Sequence, residues 1–199
     1  MLVPERPLGK RRLERLHSTT MQRTRRGARS PVVGVISDTH GLLRPEAVAA
    51  LEGVDLIVHA GDIGGAEILD ALRRIAPVVA VRGNNDRDAW AAALPEIART
   101  EIGATRIWVV HDLKELADDP ARAGVGVVIS GHSHTPRIER REGLLLLNPG
   151  SAGPRRFSLP VAVARLRLGP AGPRAEIVAL KVAGPARRPR ARRRGNASV

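Results

Sequence analysis

Val32-Val33-Gly34-Val35-Ile36-Ser37-Asp38-Thr39-His40-Gly41 is an apolar, β-branched run that stops at two polar side chains and a glycine. Such a run reads as a strand buried on both faces, with Asp38 and His40 just past its end. The pattern returns downstream. Asp55 to Ala60 is a second apolar strand, ending at Gly61-Asp62, and Val78 to Arg82 is a third, ending at Gly83-Asn84-Asn85-Asp86. Between them, Pro45 opens a helix that continues through Glu46 to Leu51 until Gly53, and Glu67 to Ile75 carries Ile68, Leu72 and Ile75 on one helical face. The order β-α-β-α-β predicts parallel strands whose ends gather polar groups at one edge of a sheet.

Farther along the rhythm changes. Ile97 to Ile102 and Thr105 to Val110 flank Gly103-Ala104 as a hairpin, and His111 follows the second of them. A short helix is expected over Leu113 to Arg122. Val125 to Ser130 is another buried strand, ending at Gly131-His132-Ser133-His134. Arg137 to Arg141, Leu144 to Leu147, Val161 to Leu168 and Ala175 to Val182 read as antiparallel strands joined by Gly/Pro turns. An α/β architecture of two mixed sheets packed face to face, flanked by helices, fits this order.

Charge separates the chain into three parts. Residues 1–30 hold nine Lys/Arg against Glu5 and Glu14, residues 182–199 hold six Arg and no acid, and the remainder sums to zero. The whole excess of +13 therefore lies in two segments without hydrophobic periodicity, read as basic disordered tails around a core of 31–181. Such tails offer at most weak, salt-dependent contact with nucleic acid. No cysteine is present, which excludes disulfides and zinc–thiolate sites. The longest apolar runs fall far short of the roughly 20 residues that a membrane span needs. The basic N-terminus has no apolar segment of the secretory type before Pro31, so a cytoplasmic location without membrane contact is expected. Self-association is left open by the sequence.

Asp38, His40, Asp62, Asn84, His111, His132 and His134 are thus candidate metal ligands, each placed at or just beyond a strand end. Oxygen and imidazole donors without sulfur favour Mn²⁺, with Ni²⁺, Fe, Co²⁺ and Zn²⁺ as alternatives. Two ions roughly 3.5–4 Å apart would bind phosphate oxygens and a hydroxide between them. His59, inside the second strand, reads as a buried, hydrogen-bonded histidine, with support of Asp62 as the alternative. Asp86 reads as orienting a histidine or capping the next turn. Asn148 to Ser151 reads as a structural turn near the site.

The series D-x-H, G-D, G-N-x-D, H and G-H-x-H resembles the metallophosphoesterase (calcineurin-like) superfamily. It is most similar to the small single-domain phosphodiesterases related to the retromer subunit of the same fold. Asn148-Pro149-Gly150-Ser151 resembles the same subgroup. The likeness runs from about Val32 to Val182. It implies a four-layer α/β/β/α sandwich. By matching position, Asp38, His40, Asp62 and His134 would hold one metal, and Asp62, Asn84, His111 and His132 the other. It implies a phosphodiesterase acting on a small phosphoester. The rival readings are a phosphomonoesterase or nucleotide pyrophosphatase on the same site, a metal-binding interaction scaffold with little activity, and a nuclease guided by the tails. Two departures stand out. Asn85, the candidate substrate-binding residue, occupies the place where many relatives have a histidine. His111-Asp112-Leu113 stands where small relatives read H-G-H. Asn85 has no proton to give as an acid, which predicts slow turnover on poor leaving groups, since general acid catalysis is typically worth 10²–10⁴-fold.

Overall fold

The computed structural model describes residues 29–156 and 158–182. The two segments expected as basic tails lie outside these residues, apart from Arg29, Ser30 and Val182.

The apolar runs form the expected strands. β1 (Val32–Ile36), β2 (Leu56–His59) and β3 (Val78–Ala80) are parallel, and the first sheet has the order β10-β9-β1-β2-β3. Here β9 (Ala162–Gly169) and β10 (Gly172–Ala179) are antiparallel to their neighbours. The second sheet has the order β4-β5-β6-β8-β7, from β4 (Ile97–Ile102), β5 (Thr105–Val110), β6 (Val127–Ile129), β7 (Arg137–Arg141) and β8 (Leu144–Asn148). Gly103-Ala104 does join β4 and β5 in a hairpin. β8 is antiparallel to β7 as expected, but its other neighbour is β6, which it joins in parallel.

Side-chain alternation builds the layers. Val33, Val35 and Val58 of the first sheet meet Ile107, Val109, Val127, Ile129, Leu145 and Leu147 of the second. Removing each such side chain from water contributes about 1.5–3 kcal/mol. On the other face of the first sheet, Val32, Ile36 and Ile57 pack on α1 (Pro45–Leu51) and α2 (Ala66–Arg73), which bury Ala47, Leu51, Ile68, Leu69 and Leu72.

The outer face of the second sheet carries Trp108, Val110, Val128 and Leu144, with Leu116 and Ala123 laid over it. The helix expected over Leu113 to Arg122 is not there. A single 3-10 turn, Leu113–Glu115, takes its place, followed by turns. Asp112 explains the tight start, because its side chain accepts from Lys114 N at 3.1 Å. Pro120 and the lack of a continuous apolar stripe explain why no α-helix propagates. Among the described residues no helix is long and apolar enough to cross a membrane.

Candidate metal centre

The parallel hydrogen-bond pattern runs on past the strand ends. Asp38 N donates to Gly61 O at 3.0 Å, His40 N to Asp62 O at 2.9 Å, and Gly131 N to His111 O at 3.0 Å. The turns after β1 and β2 are therefore stacked edge to edge, as are those after β5 and β6, and the turn after β3 joins the first pair through Asn85 N to Asp62 Oδ1, which brings all seven candidate ligands to one end of the two sheets.

Asp62 lies at the middle. Its Oδ2 is 3.4 Å from His111 Nε2 and 3.9 Å from His40 Nε2. Asn84 Oδ1 lies 3.1 Å from both His111 Nε2 and His132 Nδ1. His134 Nε2 is 3.3 Å from Asp38 Oδ1, and the His40 and His134 rings stack with centroids 5.3 Å apart. Donor atoms of Asp38, His40 and His134 lie within 4.8 Å of one another, as do those of Asp38, Asp62 and His111.

The backbone is strained at the same residues. Asp38, His40, Asp62, His132 and His134 have φ between 46° and 65°. Among the described residues only Glu142 joins them as a non-glycine with positive φ. Left-handed conformations of this kind cost on the order of 1–3 kcal/mol each and persist where the surroundings over-determine them. Here they turn successive polar side chains inward.

Both oxygens of Asp38, Nε2 of His40 and Nδ1 of His134 are buried without a hydrogen-bond partner among the described residues. A fully buried carboxylate in that state is costly unless a cation satisfies it. Burial raises the Asp38 pKa to about 6, with the nearby Asp62 charge adding to it. His111 is different. Burial opposes its charge, but the Asp62 carboxylate, the Ala60 carbonyl and the Asp38 charge outweigh that and lift its pKa to about 9. Burial works the other way on Asp62 too, yet hydrogen bonds from His111 and Asn85 hold its pKa well below the usual carboxylate range. Burial lowers His134 to about 4 and lowers His40 as well, with the Arg156 charge contributing to both, so their ring nitrogens keep free lone pairs near neutral pH.

This donor set suits divalent cations. His111 Nδ1 faces Ala60 O at 2.8 Å, a backbone acceptor that fixes Nδ1–H and turns Nε2 toward Asp62 and Asn84. Metal-binding histidines are commonly oriented this way. Asp112 Oδ2 stands 3.6 Å from His132 Nε2, on the ring's far side from Asn84.

The surrounding residues hold the turns. Asp86, expected to orient a histidine or cap the next turn, bonds instead to backbone groups of its own turn and of the Asp62 turn. Its carboxylate accepts from Ile63 N at 3.1 Å, Gly64 N at 2.9 Å and Gly83 N at 2.9 Å, which ties the Asp62 loop to the Asn84 loop. His59 is buried and hydrogen-bonded, but its partner is Thr39 Oγ1 at 2.9 Å rather than Asp62. Since the Thr39 hydroxyl gives its proton to Ile63 O, it accepts from His59 Nε2. Burial lowers His59 to about 3, so the neutral ring props the turn between Asp38 and His40. Ser151 Oγ donates to Asp38 O at 2.9 Å and Asn148 Nδ2 to Gly131 O at 2.6 Å, so this turn does abut the site. Asn85 donates its backbone N–H to Asp62 Oδ1 at 2.9 Å and its amide Nδ2 to Asp62 Oδ2 at 2.6 Å.

Two glycines are required by close approach. A Cβ on Gly131 would lie 2.0 Å from Ser37 Oγ and 2.8 Å from Asp38 Oδ2, and one on Gly83 would lie 2.2 Å from Asp62 N. Gly83→Ala is expected to push Asp62 out of place, destabilising the protein by about 1–3 kcal/mol and weakening metal uptake. Thermal unfolding and elemental analysis of the variant read both effects; full metal content at unchanged stability would contradict it.

A cavity of about 280 Å³ opens over these residues, walled by His40, Asp62, Asn85, His132, His134 and Arg156. Sequence reasoning missed Arg156. Its loop is pinned by Ala152 N to Ser37 O at 3.0 Å and by Arg44 Nε to Gly153 O at 3.1 Å, which sets the guanidinium at the rim.

Residues 32–169 match the family model of the calcineurin-like phosphoesterase superfamily domain. The chain belongs to that superfamily. A probable metallophosphoesterase of Methanocaldococcus jannaschii is 44% identical over 133 residues, 60% of this chain and 67% of that protein. A phosphodiesterase of the same organism is 27% identical over 137 residues, 59% of this chain and 82% of its own length. The fold is also that of Vps29 from Entamoeba histolytica, solved in complex with Zn²⁺. The TM-score is 0.56 at 24% identity, over 74% of this chain and 98% of that one. As a calcineurin-like phosphoesterase domain the chain thus carries plausible divalent-metal-binding residues on two mixed five-stranded sheets.

Proposed function

We propose that this superfamily member is a dinuclear metal-dependent phosphodiesterase, with Asp38, His40, Asp62 and His134 holding one ion and Asp62, Asn84, His111 and His132 the other. The observation that carries it is the position of Asp62, within 4 Å of imidazoles that belong to both sets. The name of the archaeal phosphodiesterase relative supports the reaction class. Manganese is the proposed ion, within the range of divalent cations that sulfur-free oxygen and imidazole donors hold. When bound, such a pair supplies Lewis acidity and activates water at neutral pH.

The chain's own residues do the rest. Arg156 places a positive charge at the rim, where it attracts and orients an anionic phosphoryl group. Asn84 contributes a neutral oxygen, so the donors carry only the two carboxylates of Asp38 and Asp62 and leave room for an anionic substrate. Asn85 gives its backbone N–H and one amide N–H to Asp62 and has no acidic proton, so the leaving group takes its proton from water. This restricts fast turnover to esters whose leaving group is already a weak base.

Asn85→His is expected to raise kcat on an alkyl phosphodiester about tenfold or more, with a smaller gain on a nitrophenyl ester. An unchanged or lower rate on the alkyl ester would contradict the assignment. For the reaction itself, the test is chelation. Stripped protein should lose hydrolysis of bis(4-nitrophenyl) phosphate and recover it with two equivalents of Mn²⁺. Two bound ions without hydrolysis would favour a scaffold, a reading to which the fold shared with Vps29 lends support.

A further inference from the structure

The cavity over the metal candidates has a neighbour. A second cavity, about 360 Å³, shares His132 and Ser133 with it and extends along the second sheet. One wall is the 3-10 turn, with Leu113 presented at its start, and the floor is Leu146 of β8. Leu113 is 41% exposed, among the few large apolar side chains left so open among the described residues. Asp112 holds it there through the hydrogen bond to Lys114 N. Sequence resemblance expects an imidazole at this position; an apolar side chain changes what the wall can hold.

The charged groups of this cavity are few and paired. Asp112 and Glu139 are acidic, and Arg137, the one cation on its wall, is already paired with Glu139. Glu139 is paired with Arg141 as well, so the cavity has an apolar surface and no unpaired cation on its wall among the described residues, a poor seat for a second phosphate.

We propose that this cavity seats one organic arm of the ester, and that the arm is an uncharged group with an apolar body. The inference rests on the phosphodiesterase reading and narrows its substrate class. A diester carries two arms away from phosphorus. Two cavities adjoin the central one to receive them, the second beside Leu113 and another, walled by Arg82, Arg87, Asp88, Glu96 and Glu115, that shares Asn84 with the centre. Diesters with a neutral ring or chain are accepted; polynucleotides and pyrophosphates, whose arms are anionic, are disfavoured.

Phosphonates test this without turnover. Methylphosphonate, phenylphosphonate and 4-carboxyphenylphosphonate are titrated calorimetrically into manganese-loaded wild type and Leu113→Ser, with metal content measured for both. In wild type the phenyl compound should bind about tenfold tighter than the methyl one, which corresponds to roughly 55 Å² of ring removed from water. The added carboxylate should erase most of that gain. In Leu113→Ser the phenyl-to-methyl ratio should fall to about threefold or less. A ratio near one in wild type, or a ratio unmoved by Leu113→Ser, overturns the proposal; the latter would place the ring in the cavity beside Arg82 and Arg87. If the wild type retains no manganese and binds none of the three, the metal-centre reading fails and this one with it. Methylphosphonate binding without preference for the ring sinks the arm site alone.

Discussion

Asp62→Asn is expected to lower metal-dependent hydrolysis by on the order of 10³-fold and to reduce bound metal from two equivalents to one or none. The substitution keeps size and shape, so the Asn85 backbone N–H retains an acceptor at position 62. What changes is charge and donor quality at the one side chain that lies against both imidazole sets, His111 at 3.4 Å and His40 at 3.9 Å. Asp38 has donor atoms within 4.8 Å of both sets, but the imidazole against it is His134 at 3.3 Å, and Asn84 meets only His111 and His132, so neither matches the position of Asp62. Elemental analysis of the purified variant, beside its rate on an activated phosphodiester, reads both losses. Two retained equivalents at near wild-type rate would remove Asp62 from the shared position.

Metal affinity is expected to fall about tenfold for each pH unit below about 9, and to level off above it. The direction follows from His111. Its Nε2 must be unprotonated to bind a cation, yet in the metal-free protein Asp62, the Ala60 carbonyl and Asp38 hold its pKa near 9 against the opposing effect of burial. Below that value a proton competes with the ion, and each unit of acidification favours the proton tenfold. Asp38 adds a second proton below about 6, where its burial-raised pKa lies, so the slope should steepen there. Titrating manganese at pH 6, 7, 8 and 9 in two buffers of different ionisation heat measures affinity and proton release together. Affinity independent of pH, with no proton released, would show that metal displaces no proton from His111.

The parts of the fold that were legible in the sequence are those fixed by local pattern. Val32 to Ile36, Leu56 to His59 and Val127 to Ile129 read as strands because burial on both faces demands continuous apolar runs, and glycine closes each. The candidate ligands were visible for the same reason, since each follows such a run. What stayed hidden is set by contacts between distant segments. Nothing in the residues around Leu144 says that β8 lies beside β6. Asp86 could be seen as useful, but its three backbone partners come from loops that approach only in the fold. Arg156 has no motif spacing and reaches the site only because Gly153 N bonds Asp38 O at 3.2 Å. The stretch after His111 was misread locally, since a helix expected over Leu113 to Arg122 meets Pro120 and lacks a continuous apolar stripe.

The backbone adds what letters could not show. Five of the seven candidate ligands sit at positive φ. A chain that bears strain of about 1–3 kcal/mol at each of these residues has a site to shape.

Anomalous diffraction from manganese-soaked crystals tests the paired centre most directly. Two peaks about 3.5–4 Å apart are expected, one among Asp38, His40, Asp62 and His134 and the other among Asp62, Asn84, His111 and His132. A single peak, or two that do not share Asp62, would contradict it.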